Sequence, residues 1–176
     1  MCCIIIVPRG REIPSENILK QVYAHNRDGM GFASETMYFR TFDFAAFVEE
    51  LKKVPVNENI IIHFRWATHG SVKLSNCHPF VGYASGKEYY FAHNGVLPIP
   101  SKGDKTDSEI CFREKVLPAI RRFGFEGAKK HIDQWRSGSR FAIMMPNGEV
   151  ELFGNYQYLQ GCLYSNFHWA NNRRIS

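Results

Sequence analysis

The sequence predicts a mixed α/β fold in which two mostly antiparallel sheets lie between two helical layers, a four-layer αββα sandwich. Three observations lead there. Short β-branched and aromatic runs recur from one end of the chain to the other, amphipathic stretches at helical spacing fall into two groups, and turn signals join several strand pairs into hairpins. At 176 residues, with 44% apolar and 14% aromatic content, the chain can bury one real core, so a single domain over 1–176 is expected.

The elements follow in order. Residues 2–7 are apolar and mostly β-branched, which suits a strand buried on both faces, and Pro8-Arg9-Gly10 ends it. Residues 15–25 place Ile18, Leu19, Val22 and Tyr23 on one helical face, and the polar turn Asn26-Arg27-Asp28-Gly29 closes the helix. Residues 31–40 read as a strand or hairpin. A second helix over 43–53 has Phe44, Phe47, Val48 and Leu51 on one side and most of its charges on the other. After the strand beginning at Ile60, residues 80–83 and 89–92 form a hairpin about a turn at 85–87. Thr106-Asp107-Ser108-Glu109 fits a capping box, with Thr106 as N-cap and Asp107 at the first helical position. That helix is expected to run to about Phe123 with a kink near Pro118, where a backbone N–H is missing, and 126–136 is another helix. Residues 140–145 and 150–153 form a last hairpin about Pro146-Asn147-Gly148, and 161–166 reads as a returning strand.

Composition excludes several classes. The longest apolar runs are far shorter than the ~20 residues of a membrane span, and the N-terminus lacks the charged lead and long apolar core of a signal peptide. A cytoplasmic location is therefore expected. Five cysteines, an odd number without CxxC spacing, argue for free thiols rather than a disulfide framework or a zinc ribbon. The net charge of +5 rests on scattered basic residues with only four doublets, so it describes a solvated surface rather than a nucleic-acid footprint.

Chemistry is concentrated in residues 60–70. An apolar run ends abruptly in His63-Phe64-Arg65-Trp66-Ala67-Thr68-His69-Gly70, as a buried strand does when it delivers polar groups to a loop at its tip. Ala92-His93-Asn94-Gly95 ends a second strand in a similar way, and Cys2 stands beside the chain start. Removal of Met1 ahead of a small side chain would leave Cys2 with a thiol and a free α-amine, whose pKa of ~7.7–8.0 lets it act as the base for its own nucleophile. Singly, each motif has an ordinary reading: Cys2 as a small hydrophobe, Arg65 as an ion-pair partner, Asn94-Gly95 as a turn and Asp107 as a helix-dipole residue.

Taken in order, Cys2, the 63–70 stretch, His93-Asn94-Gly95 and Thr106-Asp107-Ser108-Glu109 resemble the glutaminase domain of class II glutamine amidotransferases, with the nearest likeness to the glucosamine-6-phosphate synthase branch. The turn Asn26-Arg27-Asp28-Gly29-Met30-Gly31 is also similar to an early Asp-Gly-x-Gly turn of that superfamily. The resemblance implies the N-terminal-nucleophile hydrolase sandwich and glutamine as substrate. It makes Cys2 the nucleophile that forms a γ-glutamyl thioester, and Asn94 with Gly95 the oxyanion hole. Arg65 becomes the clamp on the α-carboxylate and Asp107 the partner of the α-ammonium, with Trp66, Thr68 and His69 lining or ordering the pocket. It implies neither metal nor cofactor. The chain departs from the family at Cys3, where glycine usually follows the nucleophile.

Three functions compete at this stage. The leading one is a glutaminase subunit that supplies ammonia to a separate synthetase or other ammonia acceptor. The second is an amidohydrolase of γ-glutamyl peptides, because the same clamps would hold any free γ-glutamyl head group. The third is a non-catalytic binding module on the same fold, for which Cys2 would be dispensable.

Overall fold

Alternation along the first strand fixes where the layers lie. In the computed structural model, which describes residues 1–67, 71–100 and 102–170, strand β1 (Cys3–Val7) is buried over its whole length. Cys3, Ile5 and Val7 point into a core shared with helices, whereas Ile4 and Ile6 point into a second core between the sheets. With no polar side chain on either face, such a strand is stable only when both faces are covered.

The remaining strands and helices, in chain order, are α1 (Glu16–His25), β2 (Met30–Ala33), β3 (Tyr38–Thr41), α2 (Phe44–Leu51), β4 (Ile60–Phe64), β5 (Phe80–Ala84), β6 (Lys87–Asn94), α3 (Asp107–Cys111), α4 (Leu117–Trp135), β7 (Arg140–Met144), β8 (Val150–Phe153), β9 (Gln157–Leu159) and β10 (Cys162–Tyr164). One sheet has the order β3-β2-β4-β1-β10-β9 and the other the order β5-β6-β7-β8. Each strand pairing in both sheets is antiparallel.

Three cores stack through the molecule. Leu19 and Val22 of α1 and Phe47, Val48 and Leu51 of α2 pack on the outer face of the first sheet, against Ile5, Phe32, Ile62 and Phe64. Between the sheets lie Ile4, Ile6, Ile61, Ala92, Ala142 and Met144. Ala92 and Ala142 are cross-strand partners, and their small side chains leave room for the isoleucines opposite. On the far side, Phe112, Leu117, Ile120, Ala128 and Ile132 cover Phe80, Phe91, Phe141 and Ile143. The αββα sandwich expected from the sequence is thus the observed architecture.

Local signals account for most of the boundaries. Ser15 and Asp43 cap α1 and α2 by accepting from Ile18 N and Ala46 N. The β5–β6 hairpin turns on Ser85 and Gly86, both at positive φ, as a two-residue loop of the primed type requires. Two expectations need correction. The irregularity assigned to Pro118 lies a turn earlier, where Phe112–Val116 widens into a π-helical turn before the proline. The real break is at Gly124, whose φ of 70° and ψ of 170° reorient the chain within α4. The returning strand is the shorter β10, and β9, which the sequence reading did not anticipate, forms an exposed edge beside it.

Candidate active site

Antiparallel pairing puts the start of β1 beside the end of β4. Cys3 is the register partner of Phe64, so Cys2 and Arg65, one residue beyond each, are neighbours. Both stand at the rim of a cleft of about 30 Å³ that Trp66, Gly95 and Asp107 also line. Strand ends, a loop and a helix N-terminus far apart in sequence therefore converge on one point. Asn94 is fully buried at the end of β6, behind Gly95 rather than on the cleft wall. Thr68 and His69 lie outside the described residues.

Cys2 is half-buried and its thiol sits against the backbone of Trp66. The Trp66 N–H donates to Sγ at 3.4 Å, and Sγ lies 3.5 Å from the Trp66 carbonyl. Burial pushes the thiol above its ordinary pKa, opposed by the Trp66 N–H, the N-terminal ammonium and Arg65. A thiol held up in this way is protonated at neutral pH and needs a base to become a nucleophile. Cys3 faces the other way. It is fully buried in the helix-side core, and burial raises its pKa well above the ordinary thiol value, so it presents no competing nucleophile to the cleft.

Arg65 is buried, and its Nη1 donates to the Ser71 carbonyl at 3.3 Å. The 26–30 turn clasps the segment that carries it. Arg65 N donates to Gly29 O, Asp28 N donates to Arg65 O, and Asp28 Oδ2 accepts from Ala67 N at 2.7 Å. Asp28 was visible in the sequence only as part of a turn; here its carboxylate fixes the backbone next to Trp66.

Asp107 is the first residue of α3, held there by Thr106, whose hydroxyl accepts from Glu109 N at 3.2 Å. The capping box predicted that position. One carboxylate oxygen of Asp107 accepts from Ser108 N and Ser108 Oγ, and the other accepts from Leu97 N at 2.8 Å. Asp107 thereby ties the 95–97 loop to the helix. Gly95 cannot be replaced without cost: its φ is 144°, and a Cβ there would stand 2.2 Å from Ser139 Oγ and 2.7 Å from Ser139 Cβ.

Two residues that sequence reasoning missed brace the site from the C-terminal part of the chain without lining the cleft. Asn166 Nδ2 donates to the Cys2 carbonyl at 2.7 Å. Ser165 Oγ accepts from Ile4 N at 2.8 Å and from Asn94 Nδ2 at 2.9 Å, while Asn94 Oδ1 is buried without a hydrogen-bond partner. A Ser-Asn pair after a short strand carries no signal beyond that of a turn.

The inner wall of the cleft is a cluster of buried histidines, His78 and His93 lining it and His63 packed beside them. The rings of His63 and His78 are 4.3 Å apart, and His93 is 6.4 Å from His78. His63 Nε2 pairs with the His93 carbonyl, and His93 Nδ1 pairs with Ser108 Oγ at 2.6 Å. Burial lowers all three pKa values, that of His63 to about 3. They are therefore neutral scaffolding at physiological pH. Among the described residues no group of three His, Cys, Asp or Glu side chains is placed to hold a metal ion, and no helix is long and apolar enough to cross a membrane.

The two sheets and their helical layers form a fold of the class II glutamine amidotransferase kind, and comparison with known proteins agrees. The allosteric regulatory enzyme of purine biosynthesis superposes on 93% of this chain and 41% of its own length with a TM-score of 0.56, at 16% identity. The model of the class-II glutamine amidotransferase family matches residues 24–135, and the chain belongs to that family. A predicted glutamine amidotransferase of Haemophilus influenzae is 42% identical over 107 residues, 52% of this chain and 36% of that protein. The predicted glutamine amidotransferase YafJ of Escherichia coli is 25% identical over 132 residues, 65% of this chain and 49% of that protein. The chain thus spans less than half the length of these curated relatives.

Proposed function

We propose that this domain hydrolyses the side-chain amide of glutamine through a thioester on Cys2 and supplies the ammonia to a separate synthetase. The observation that carries the reading is the convergence of Cys2, Arg65, Gly95 and Asp107 on a single cleft. In the mature chain the α-amine of Cys2 would take the thiol proton, and sulfur would add to the amide carbon. The carbonyl electron pair moves to oxygen, where Gly95 N–H and the Asn94 amide would donate. Collapse breaks the C–N bond as the amine returns its proton to nitrogen, and ammonia leaves. Water, deprotonated by the same amine, then cleaves the thioester and releases glutamate. Glutamine and water become glutamate and ammonia, and the thiol is restored.

Arg65 suits the α-carboxylate because its planar guanidinium matches two oxygens at once. Asp107 suits the α-ammonium, since a carboxylate has more lone pairs than its present donors use. The 49% exposure of Trp66 puts an indole at the mouth, where it would cover a bound amino acid.

Intact mass after incubation with a diazoketone analogue of glutamine tests the reading. The active chain should lack Met1 and carry one adduct; Cys2→Ser should carry none, and Cys3→Ala should label normally. Labelling that persists in Cys2→Ser would overturn the assignment. Turnover of γ-glutamyl peptides faster than glutamine would move the activity to the amidohydrolase reading.

A further inference from the structure

Ser165 occupies an unusual place in the hydrogen-bond network. Its hydroxyl bridges the strand that begins at the nucleophile to the residue read as the oxyanion donor, by contacts of 2.8 Å to Ile4 N and 2.9 Å to Asn94 Nδ2. Ile4 also accepts from Ser165 N at 2.9 Å, so the two backbones are locked reciprocally. The residue that follows, Asn166, holds the Cys2 carbonyl. One two-residue segment therefore touches both halves of the chemistry, and it lies outside the span 24–135 that carries the family match.

The arrangement leaves Asn94 Oδ1 buried and unpaired, which is costly for an amide acceptor. Half a turn of the amide exchanges this orphaned acceptor for an NH₂ group that awaits one. A hydroxyl has one hydrogen to give and two lone pairs. Ser165 can accept the Ile4 amide hydrogen and donate its own to Asn94 Oδ1, and the Asn94 NH₂ then takes the position now held by the orphaned oxygen. A buried NH₂ with no acceptor in the free protein is a donor reserved for a developing negative charge.

We infer that Ser165 is a positioning residue that sets the orientation of the Asn94 amide, presenting its NH₂ group rather than its oxygen to the tetrahedral intermediate. The inference rests on the glutaminase reading above and on Asn94 as oxyanion donor. Ser165 touches neither substrate nor nucleophile. Its effect passes through Asn94, so it belongs to kcat rather than to glutamine binding.

A double-mutant cycle on the full chain separates the possibilities. Asn94→Ala should lower kcat for glutamine hydrolysis by roughly 10²–10³-fold, the range for loss of one oxyanion donor. Ser165→Ala should lower kcat by roughly tenfold with KM within about twofold, Ser165→Thr should retain most of kcat because it keeps the hydroxyl, and Ser165→Ala added to Asn94→Ala should cost nothing further. If Ser165→Ala does not fold, Ser165→Cys, nearly isosteric but a weak donor, is expected to show the same loss. A lowered melting temperature with unchanged kcat would reduce Ser165 to a structural role and overturn the inference. So would a full multiplicative loss in the double variant. Normal turnover in Asn94→Ala with Ser165 intact is a distinct result: it removes Asn94 from the oxyanion hole and takes the inference with it.

Discussion

At the residue scale, Arg65 and Gly95 are the positions where chemistry and packing make the same demand. Arg65 is buried next to the thiol, and its guanidinium reaches the Ser71 carbonyl while remaining at the cleft wall. Lysine would bring one compact ammonium to a place that suits a planar fork. Arg65→Lys should therefore raise KM for glutamine by an amount equivalent to about 2–5 kcal/mol, with a smaller change in kcat. Steady-state kinetics with an unchanged KM would rule out the carboxylate clamp. Gly95→Ala should fail differently, because the new methyl meets Ser139 in a backbone conformation that L-residues avoid. Melting temperature and turnover should fall together, and a folded, fully active Gly95→Ala protein would contradict the packing.

The elements were legible to the degree that their signals were local. The strand over 60–64, the helices and the hairpin turns follow from periodicity, from the turn at 85–87 and from Thr106 as N-cap. β9 was not, because three exposed residues on a sheet edge show no apolar alternation. Pro118 announced an irregular helix but not its form, since a π turn at 112–116 and a break at Gly124 depend on how the chain covers the second sheet. Cys2, Arg65, Gly95 and Asp107 could be picked out because each follows or opens a recognisable element. Asp28, Ser165 and Asn166 act through hydrogen bonds that only tertiary pairing creates. Between the sheets, Ala92 and Ala142 set the spacing of two layers. Ala92→Leu should destabilise the protein by about 1–3 kcal/mol through overpacking, measurable as a shift of the denaturant midpoint. A variant of wild-type stability would mean that the intersheet core has slack.

For the molecule as a whole, the histidine cluster couples stability to pH. His63, His78 and His93 have folded-state pKa values below the ordinary 6.5 because burial penalises their charged forms. Below pH 6.5 the unfolded chain takes up protons that the folded chain refuses, so stability is full above that pH and falls as the medium is acidified toward the depressed values. Each histidine should contribute a slope of up to about 1.4 kcal/mol per pH unit in that window. Chemical denaturation between pH 7 and 5 should show the loss, and replacing His78 with Phe, which would also stack between His63 and Phe80, should flatten the curve. An equally steep curve in His78→Phe would place the acid sensitivity elsewhere.

The central position of β1 also has a consequence in time. The strand is flanked by β4 and β10 and covered on both faces, so its amides have no local route to solvent. The amide hydrogens of Ile4, Ile5 and Ile6 should exchange with deuterium only through whole-molecule opening, while those of 95–97 at the cleft exchange by small local excursions. The thiol is one residue from the slowest-exchanging segment, whereas the groups that meet it are mounted on faster ones. Opening and closing of the cleft would then be the motion of the 95–97 segment about a stationary sulfur.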